Sequence, residues 1–553
     1  MRKTIVILLV SCIFLGSCNL FSLEKTSAQT TSKTLYVGGN GEGYYDTIWD
    51  AINASSDGDT VFVYNGIYEE NPIIRKKISL IGEDKEKTII QGRCGWNVVE
   101  IKVDGVKISG FTIKNIGGLS SYKKFSGLDV ESSGNTITDN IIQLNLVQYK
   151  TFLYGYKTNS ENYGIYLHSD NVGNNYIENN FITTDNLDYG VGIWVKSQND
   201  NNIISNNEFL KNEYAMLISE CDNNVISGNT FLKNEYGGIR LDESSYNNIY
   251  DNTFSNEDFV SLNGHTGIII FFGSHNMIND NFFDKVDLAT SSTNDIITGN
   301  TFISSGISIG GEDIESWNTH TIENNLVDGR PIYYFKNDHT GRIAPYDAGT
   351  VILANCSNFI IENLNIINVS SGIQIGYTSN TLIKNNILTN NSNSLYLWNS
   401  SNNIIDYNYI KNSKWAGISL GGCENNIVSN NTISNQDFVN DSFSGVNLMG
   451  SNNNIICKNT IENTDFGLMM YDSSNNEISE DNIFSDNKKD IYYDPTPNIH
   501  VFNLSDDDDD DDQIKAAASE PENQIPGFEF LSVICVITVL LFWKRKKKDS
   551  VIF

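Results

Sequence analysis

The sequence repeats one short phrase along much of its length: two asparagines, an apolar pair, one or two spacers and a further asparagine. We use that last asparagine as a marker for each copy. Within two groups of copies the marker recurs every 22 or 23 residues. These markers are Asn207, Asn229 and Asn252, then Asn386, Asn408 and Asn431. A fixed period of this length indicates one supersecondary unit stacked on copies of itself.

Each unit contains short runs rich in Ile, Val and Phe, bounded by Asn and Gly, as in 237–241 and 417–420. Alternating apolar and β-branched residues between such boundaries predict strands. A unit of this length holds about three short strands and three turns. We therefore predict an all-β, single-stranded parallel β-helix with coils of about 22 residues.

The marker asparagines have a structural role in such a fold. Asn tolerates the left-handed backbone of a tight turn, and its amide can hydrogen-bond to the backbone. Stacked copies predict an asparagine ladder along the rod. The alternative, a polar binding face, explains the strict periodicity less well.

Composition limits the possible partners and cofactors. The net charge is −31, from 37 basic and 68 acidic residues, which argues against nucleic-acid binding. Eight cysteines show no close pairs, so neither a zinc site nor a compact disulfide framework is indicated. We predict no metal site and no cofactor; Ca²⁺ at the acidic run Asp506–Asp512 is the alternative.

The N-terminus predicts export. Arg2 and Lys3 precede an apolar run over 5–15, which is typical of a secretory signal ending near Ala28. Residues 15–18 also resemble a lipobox, which would place a lipid on Cys18.

The C-terminus predicts an anchor. A polar spacer containing the acidic run leads to an apolar stretch over 530–543 and a basic cluster over 544–548. The basic residues favour a cytoplasmic end for a membrane segment. Residues 525–529 with the apolar stretch and basic tail also resemble archaeal and bacterial sorting signals of the Pro-Gly-Phe type. Residues from about 30 to 505 are then expected on the outer face of the envelope.

The predicted organisation has seven parts. They are a signal peptide (1–28), an N-terminal cap with first coils (34–100), β-helix coils (101–327), an irregular junction (328–356), further coils (357–500), an acidic linker (501–526) and a transmembrane or sorting segment (527–548).

Two parts of the chain resemble known families. Residues 46–68 and 77–92 look like the start of the pectin-lyase-like right-handed β-helix superfamily, which implies a cap helix over about 47–54. Residues 328–335, 347–356 and 363–366 resemble the NosD-like β-helix family, common among archaeal surface proteins. The resemblance implies a right-handed helix but fixes no activity. Its name implies copper delivery, yet copper needs clustered His, Met or Cys, and the six histidines are dispersed.

Insertions mark the candidate binding edge. The distance from a marker to the next coil glycine is normally 8 residues, but it is 15 from Asn252 to Gly267 and 14 from Asn431 to Gly445. Insertions at one repeat position project from one edge of a solenoid. An aromatic-rich segment over 149–163 adds further candidates. The irregular junction over 328–356, which we call the central break, adds polar ones. The candidate ligand-binding residues are Tyr154, Tyr156, Tyr189, Asp258, Phe259, His265, Asp338, His339, Arg342, Asp437 and Phe438.

We therefore expect a surface-anchored β-helix that binds an extracellular polysaccharide or glycoprotein, or serves adhesion, rather than an enzyme. A polysaccharide hydrolase or lyase is the first alternative, and it predicts paired carboxylates beside the insertions, about 5–9.5 Å apart for a glycosidase. A copper accessory protein is the second, and it predicts at least three converging His, Cys or Met side chains.

Overall fold

The structure is a computed structural model that describes residues 32–39, 43–93, 96–115, 125–144, 162–170, 172–184, 190–256, 266–435 and 443–493. Almost all of its regular structure is parallel β-sheet, as the repeat predicts. The predicted signal peptide, Cys18, the acidic run and the C-terminal apolar segment lie outside the described residues. Within those described ranges, no helix has the length and apolarity needed to cross a bilayer.

The N-terminal stack is built from coils of three strands, so that three sheets, N1, N2 and N3, run along it. Neighbouring strands within each of these sheets are parallel. Sheet N1 comprises Thr34–Val37, Thr60–Val63, Ser79–Gly82, Lys107–Ser109, Thr136–Thr138, Tyr176–Glu178, Ile203–Ser205, Val225–Ser227, Asn248–Tyr250, Met277–Asn279, Ile296–Thr298 and Thr321–Glu323. Sheet N2 comprises Gly66–Tyr68, Thr88–Gly92, Thr112–Asn115, Ile141–Gln143, Phe181–Thr183, Glu208–Leu210, Thr230–Leu232, Thr253–Ser255, Phe282–Asp284, Thr301–Ile303 and Leu326–Val327. Sheet N3 comprises Ile73–Ile74, Val99–Ile101, Phe125–Val130, Asn162–His168, Gly190–Lys196, Tyr214–Ser219, Gly237–Asp242, Thr266–Ser274, Asp287–Thr293 and Ile307–Ile309.

The C-terminal stack has the same plan, with sheets C1, C2 and C3. Sheet C1 comprises Ile360–Glu362, Leu382–Lys384, Ile404–Asp406, Ile427–Ser429, Ile455–Cys457 and Glu477–Ile478. Sheet C2 comprises Asn365–Ile367, Ile387–Thr389, Tyr409–Lys411, Thr432–Ser434, Thr460–Glu462 and Ile483–Ser485. Sheet C3 comprises Arg330–Lys336, Thr350–Ala354, Ser371–Gly376, Asn393–Trp398, Ala416–Gly421, Ser444–Met449, Phe466–Tyr471 and Lys489–Tyr493.

The open end of the first coils is covered by the helix Ile48–Ala54, close to the predicted cap over 47–54. The Thr47 side chain accepts the N–H of Asp50 at 3.0 Å, as an N-cap residue does. The Glu70 carboxylate accepts the next free N–H groups, those of Ile48 and Trp49, each at 2.9 Å. The apolar face of the helix is buried against the first strands, which protects their edge.

The core is a column of stacked apolar side chains. Its clearest part is a file of five buried phenylalanines in sheet N2, whose ring centroids lie 4.6–4.9 Å apart in neighbouring coils. They are Phe209, Phe231, Phe254, Phe283 and Phe302. Because each ring packs on its copies above and below, one coil contributes little core by itself and depends on its neighbours.

The marker asparagines form the expected ladder, but the left-handed turn belongs to the residue before each marker. Asn252 is 1% exposed and its side-chain oxygen accepts both the backbone and amide N–H of Asn229, at 2.9 and 3.0 Å. The positive φ of 54° is at Asp251. Our sequence hypothesis gave both roles to one asparagine. The structure divides them, because the ladder amide must point inward while the turn residue faces out.

The two stacks meet at the predicted central break. Leu326–Val327 pairs antiparallel with the start of Arg330–Lys336, which then begins sheet C3. The Gln374 side chain joins the last strand of N3 to C3: its amide donates to the Ile307 carbonyl at 2.6 Å, and its oxygen accepts the N–H of Ile309 at 3.1 Å. The last strand of N3 is thereby hydrogen-bonded to the second stack.

Asp287 of sheet N3 interacts with Ser370 and Lys414 of the second stack, and it predicts a pH-dependent stability. Burial raises the pKa of Asp287 from 3.8 to about 7, although Lys414, Ser370 and the Gly306 N–H partly oppose the shift. Between these two values the folded state binds more protons than the unfolded state, so stability falls as pH rises from 4 to 7 and then levels off. Asp287→Asn should remove this component, so the variant should gain stability relative to the parent protein as pH rises. Urea midpoints at pH 5 and pH 8 measure it, with the exposed Asp313→Asn as the control. A constant offset between the parent protein and Asp287→Asn at both pH values would contradict the assignment.

Candidate functional site

The outward positions of sheet N3 carry a row of charged and aromatic side chains in four adjacent coils. Strand register places Glu100 beside Asp129, Asp129 beside Tyr166, and Tyr166 beside Trp194. A second row, two residues further along the strands, comprises Lys102, Glu131, His168 and Lys196. We call these eight residues the outer strip.

Three groups of the outer strip converge. His168 Nε2 lies 2.5 Å from Asp129 Oδ1 and 3.8 Å from Glu131 Oε1. One ligand atom from each residue lies within 4.8 Å of the other two. The Asp129 side chain is only 7% exposed, whereas those of His168 and Glu131 are 29% and 32% exposed. The second oxygen of Asp129 accepts a hydrogen bond from the Asn97 amide.

A lysine borders this cluster. The Lys102 ammonium pairs with Glu131, and it lies 3.2 Å from Glu100 Oε2. Burial disfavours the charged ammonium, but the hydrogen bond to Glu131 and the nearby Asp129 and Glu100 carboxylates raise the pKa of Lys102 above its usual value. The cluster therefore combines three acidic groups, one imidazole and one permanently charged ammonium at neutral pH.

Aromatic rings continue the strip away from the charges. The Tyr166 ring stacks on His168 with centroids 4.1 Å apart, and on Trp194 with centroids 5.3 Å apart. Both aromatic residues are half-buried. The Lys196 ammonium lies 5.0 Å from the centre of the Trp194 ring. Flat rings beside hydrogen-bonding charges can bind a ligand with an apolar face and polar edges.

Several insertions are connected in sequence to the sheet that carries this strip. Segments 116–124, 145–161, 185–189 and 257–265 each lead from a strand of N2 into a strand of N3. Segment 436–442 holds the equivalent position between C2 and C3. These five segments lie outside the described residues. The first three lead directly into strands that carry the outer strip.

Most of the site residues predicted from sequence fall within those segments, so their roles stay predictions. They are Tyr154, Tyr156, Tyr189, Asp258, Phe259, His265, Asp437 and Phe438.

Two of the three predicted residues in the central break, Asp338 and Arg342, pair with each other. Arg342 Nε lies 2.6 Å from Asp338 Oδ2. Hydrogen bonds from the backbone and hydroxyl of Thr340 lower the pKa of Asp338, with a smaller contribution from Arg342. His339 instead contacts the Ser357 hydroxyl, at 3.1 Å. All of these contacts lie within the protein, and a ligand-binding role for the three residues stays a prediction.

Sequence reasoning missed the outer strip. Asp129 and Tyr166 are neighbours in the structure but lie 37 residues apart, because segment 145–161 interrupts the period. Aligning the coils after removing that segment places Asp129-Val130-Glu131 against Tyr166-Leu167-His168, with the first and third residue of each triplet on the outer side of the strand. This alignment would have revealed the outer strip from the sequence.

Comparison with known proteins supports the architecture. The profile of the "Right handed beta helix region" family matches residues 349–503, and that of the "Periplasmic copper-binding protein (NosD)" family matches residues 52–267. No curated protein matches the sequence significantly.

Solved structures resemble the chain only loosely. A pectin methylesterase from carrot is 16% identical, covers 53% of this chain and 83% of its own, and has a TM-score of 0.24. The rice weevil pectin methyl esterase is 14% identical, with 53% and 88% coverage and a TM-score of 0.28. A PL6 family alginate lyase is 10% identical, with 80% and 98% coverage and a TM-score of 0.31. TM-scores this low indicate no shared activity or ligand. The two profile matches and the parallel strand pairing together identify the fold.

Proposed function

We propose that this right-handed parallel β-helix protein binds a polysaccharide, or the glycan of a glycoprotein, along the outer strip. The observation that carries the proposal is the stacked row of His168, Tyr166 and Trp194, which presents aromatic rings beside carboxylates and ammonium groups. Sugar rings have an apolar face of C–H groups and polar edges of hydroxyls, so this combination of groups fits them.

Rigidity favours binding at this place. Tyr166 and Trp194 lie on paired strands whose register fixes their spacing. A ligand that stacks on them therefore does not have to order the protein first, which reduces the entropic cost of binding. The repeating strands also let a polymer contact several coils in succession.

The proposed location is the outer face of the cell envelope. The signal-like N-terminus, the C-terminal apolar segment and the basic tail motivate it. Detergent extraction of the native protein, with mass spectrometry of both ends, tests whether the tail or a lipid on Cys18 anchors it.

The binding test is a pair of truncations. Trp194→Ala and Tyr166→Ala should each weaken glycan binding about tenfold, because a central aromatic contact is typically worth more than 1 kcal/mol. Affinity electrophoresis against a panel of neutral and acidic polysaccharides finds the ligand, and calorimetry then measures each variant.

The matched control is Tyr246→Ala. Tyr246 also stacks on a histidine, His275, with ring centroids 5.0 Å apart, but it lies before a strand of sheet N1 and is 56% exposed. Its variant should bind as the parent protein does. Equal affinity for Trp194→Ala, Tyr246→Ala and the parent would place the glycan site elsewhere.

Polysaccharide cleavage is a second candidate, favoured by the carboxylates of Glu100 and Asp129 on adjacent strands. One oxygen of Asp129 lies within 4.8 Å of one oxygen of Glu131, below the separation of about 5–5.5 Å between the two carboxyl groups of a retaining glycosidase. Mass spectrometry of polysaccharides incubated with the protein distinguishes the cases. Released oligosaccharides would indicate an enzyme, and an unsaturated end would indicate a lyase.

The NosD match raises copper delivery as a further alternative. Copper(I) prefers thiolate and thioether ligands. Among the described cysteines, Cys221 and Cys423 are buried, and burial raises the pKa of each thiol to about 12, which disfavours the free thiolate at neutral pH. The converging group in the described part of the chain has one imidazole and two carboxylates. This donor set does not fit copper(I), and the chemistry favours the glycan proposal.

A further inference from the structure

We propose that Asp129, Glu131 and His168 form a binding site for a divalent ion of the first transition row. This site goes beyond the proposed glycan binding and does not depend on it. We predicted no metal site from the sequence, because the cysteines show no close pairs and the histidines are dispersed; His168 and Asp129 lie 39 residues apart along the chain.

The first argument is the distance between the donor atoms. One atom from each residue lies within 4.8 Å of the other two. Imidazole and carboxylate ligands bind zinc at about 2.0–2.2 Å, so atoms sharing one ion lie about 3–4.4 Å apart. The 3.8 Å distance from His168 Nε2 to Glu131 Oε1 already lies in this range, and the 2.5 Å contact between His168 Nε2 and Asp129 Oδ1 would open when an ion enters.

The second argument is that the strands fix the donors. Asp129 belongs to the strand Phe125–Val130, and Glu131 directly follows it. His168 ends the neighbouring strand Asn162–His168, which pairs with the first in parallel register. Backbone pairing therefore holds all three side chains on the same outward patch, and little chain entropy remains to be lost when an ion binds.

Neighbouring groups orient two of the ligands. The Asn97 amide donates to the second oxygen of Asp129, leaving the first oxygen for the ion. The Tyr166 ring stacks on the His168 imidazole at an interplanar angle of 20°, which restricts its rotation. Contacts of this kind commonly raise the affinity of metal sites.

The donor set selects the class of ion. Ca²⁺ and Mg²⁺ prefer oxygen ligands only, whereas one imidazole with two carboxylates suits Zn²⁺ or Mn²⁺. Three protein ligands leave at least one coordination position open, and the His168 and Glu131 side chains are partly exposed there.

Lys102 competes with the ion. Its ammonium now pairs with Glu131 and Glu100. An ion bound by Glu131 must displace it, and the nearby positive charge opposes the approach of a cation. Removing this charge should therefore strengthen binding, whereas removing a ligand should weaken it.

The test is calorimetric titration of the full chain with Zn²⁺ and, separately, Mn²⁺, without any glycan. His168→Gln and Glu131→Gln should each lower the affinity of the strongest site by about tenfold or more. Lys102→Met should raise that affinity several-fold. Lys107→Met, which removes an exposed lysine from sheet N1 and therefore from another face of the coil, should leave it nearly unchanged.

The acidic run Asp506–Asp512 is unchanged in all variants, so any binding there cancels and the difference from the parent isolates the site. Melting curves without metal verify that each variant is folded, and added metal should raise the melting temperature of the parent more than that of His168→Gln. Identical titrations for the parent, His168→Gln and Glu131→Gln would overturn the proposal. Because no glycan is present, that outcome is separate from failure of the glycan proposal.

Discussion

Asn252→Ala is expected to lower the free energy of unfolding by about 3–5 kcal/mol, because it breaks a buried ladder in both directions. The Asn252 amide donates to the carbonyls of Ile226 and Tyr250, both at 2.9 Å, and to Asn281 at 3.0 Å. Its oxygen accepts two hydrogen bonds from Asn229. Each buried group left without a partner costs about 1–3 kcal/mol.

The damage should spread to the neighbouring coils. Asn229 loses the acceptor of its backbone N–H, and no water can replace it without entering the stack. Since coils are stabilised mainly by adjacent coils, local opening around Asn252 should become easier than opening elsewhere.

Urea denaturation followed by circular dichroism measures the global effect, and native-state hydrogen exchange locates it. The control is Asn365→Ala, at an exposed position in sheet C2, which should change stability by less than about 0.5 kcal/mol. If both variants unfold at the same urea concentration, the ladder contributes no more than surface asparagines do.

The repeat period predicted the fold because the fold depends on residues that recur in every coil. Asn229 and Asn252 occupy equivalent ladder positions, and Phe231 and Phe254 equivalent core positions, so their spacing in sequence equals one turn of the helix. Spacing could not predict that Asn252 forms the ladder while Asp251 takes the left-handed backbone, because both positions recur with the same period.

The outer strip escaped prediction for the opposite reason. Outward positions are free to vary, so Asp129, Tyr166 and Trp194 share a register position but no common residue type. A long insertion between two of these coils also removed the regular spacing that would have aligned them. Function on a solenoid depends on the irregular residues, whereas the period reveals the regular ones.

A glycine about eight residues past several markers was predicted as part of the strand pattern, and the structure gives this glycine a steric role. In sheet N3 the column runs through Gly164, Gly192, Gly238 and Gly267, with Ala215 between the second and third. A Cβ on Gly238 would lie 2.6 Å from the Gly267 carbonyl oxygen and 2.6 Å from Phe254 Cδ1. The first of these is backbone fixed by strand pairing, and the second belongs to a ring held between Phe231 and Phe283.

Gly238→Val should therefore lower the free energy of unfolding by about 3 kcal/mol, near the upper end of the usual range for overpacking. Gly238→Ala should cost less, about 1 kcal/mol, because Ala215 shows that the column accepts a single methyl group in one coil. The control is Gly66→Ala, whose added Cβ has its nearest contacts with the Tyr68 side chain at 3.4 Å, an ordinary contact distance. Urea midpoints of the three variants should rank Gly66→Ala above Gly238→Ala and Gly238→Val lowest. If Gly238→Val had the same urea midpoint as the parent protein, neighbouring coils could separate at this face. The rigid spacing on which the outer strip depends would then be absent.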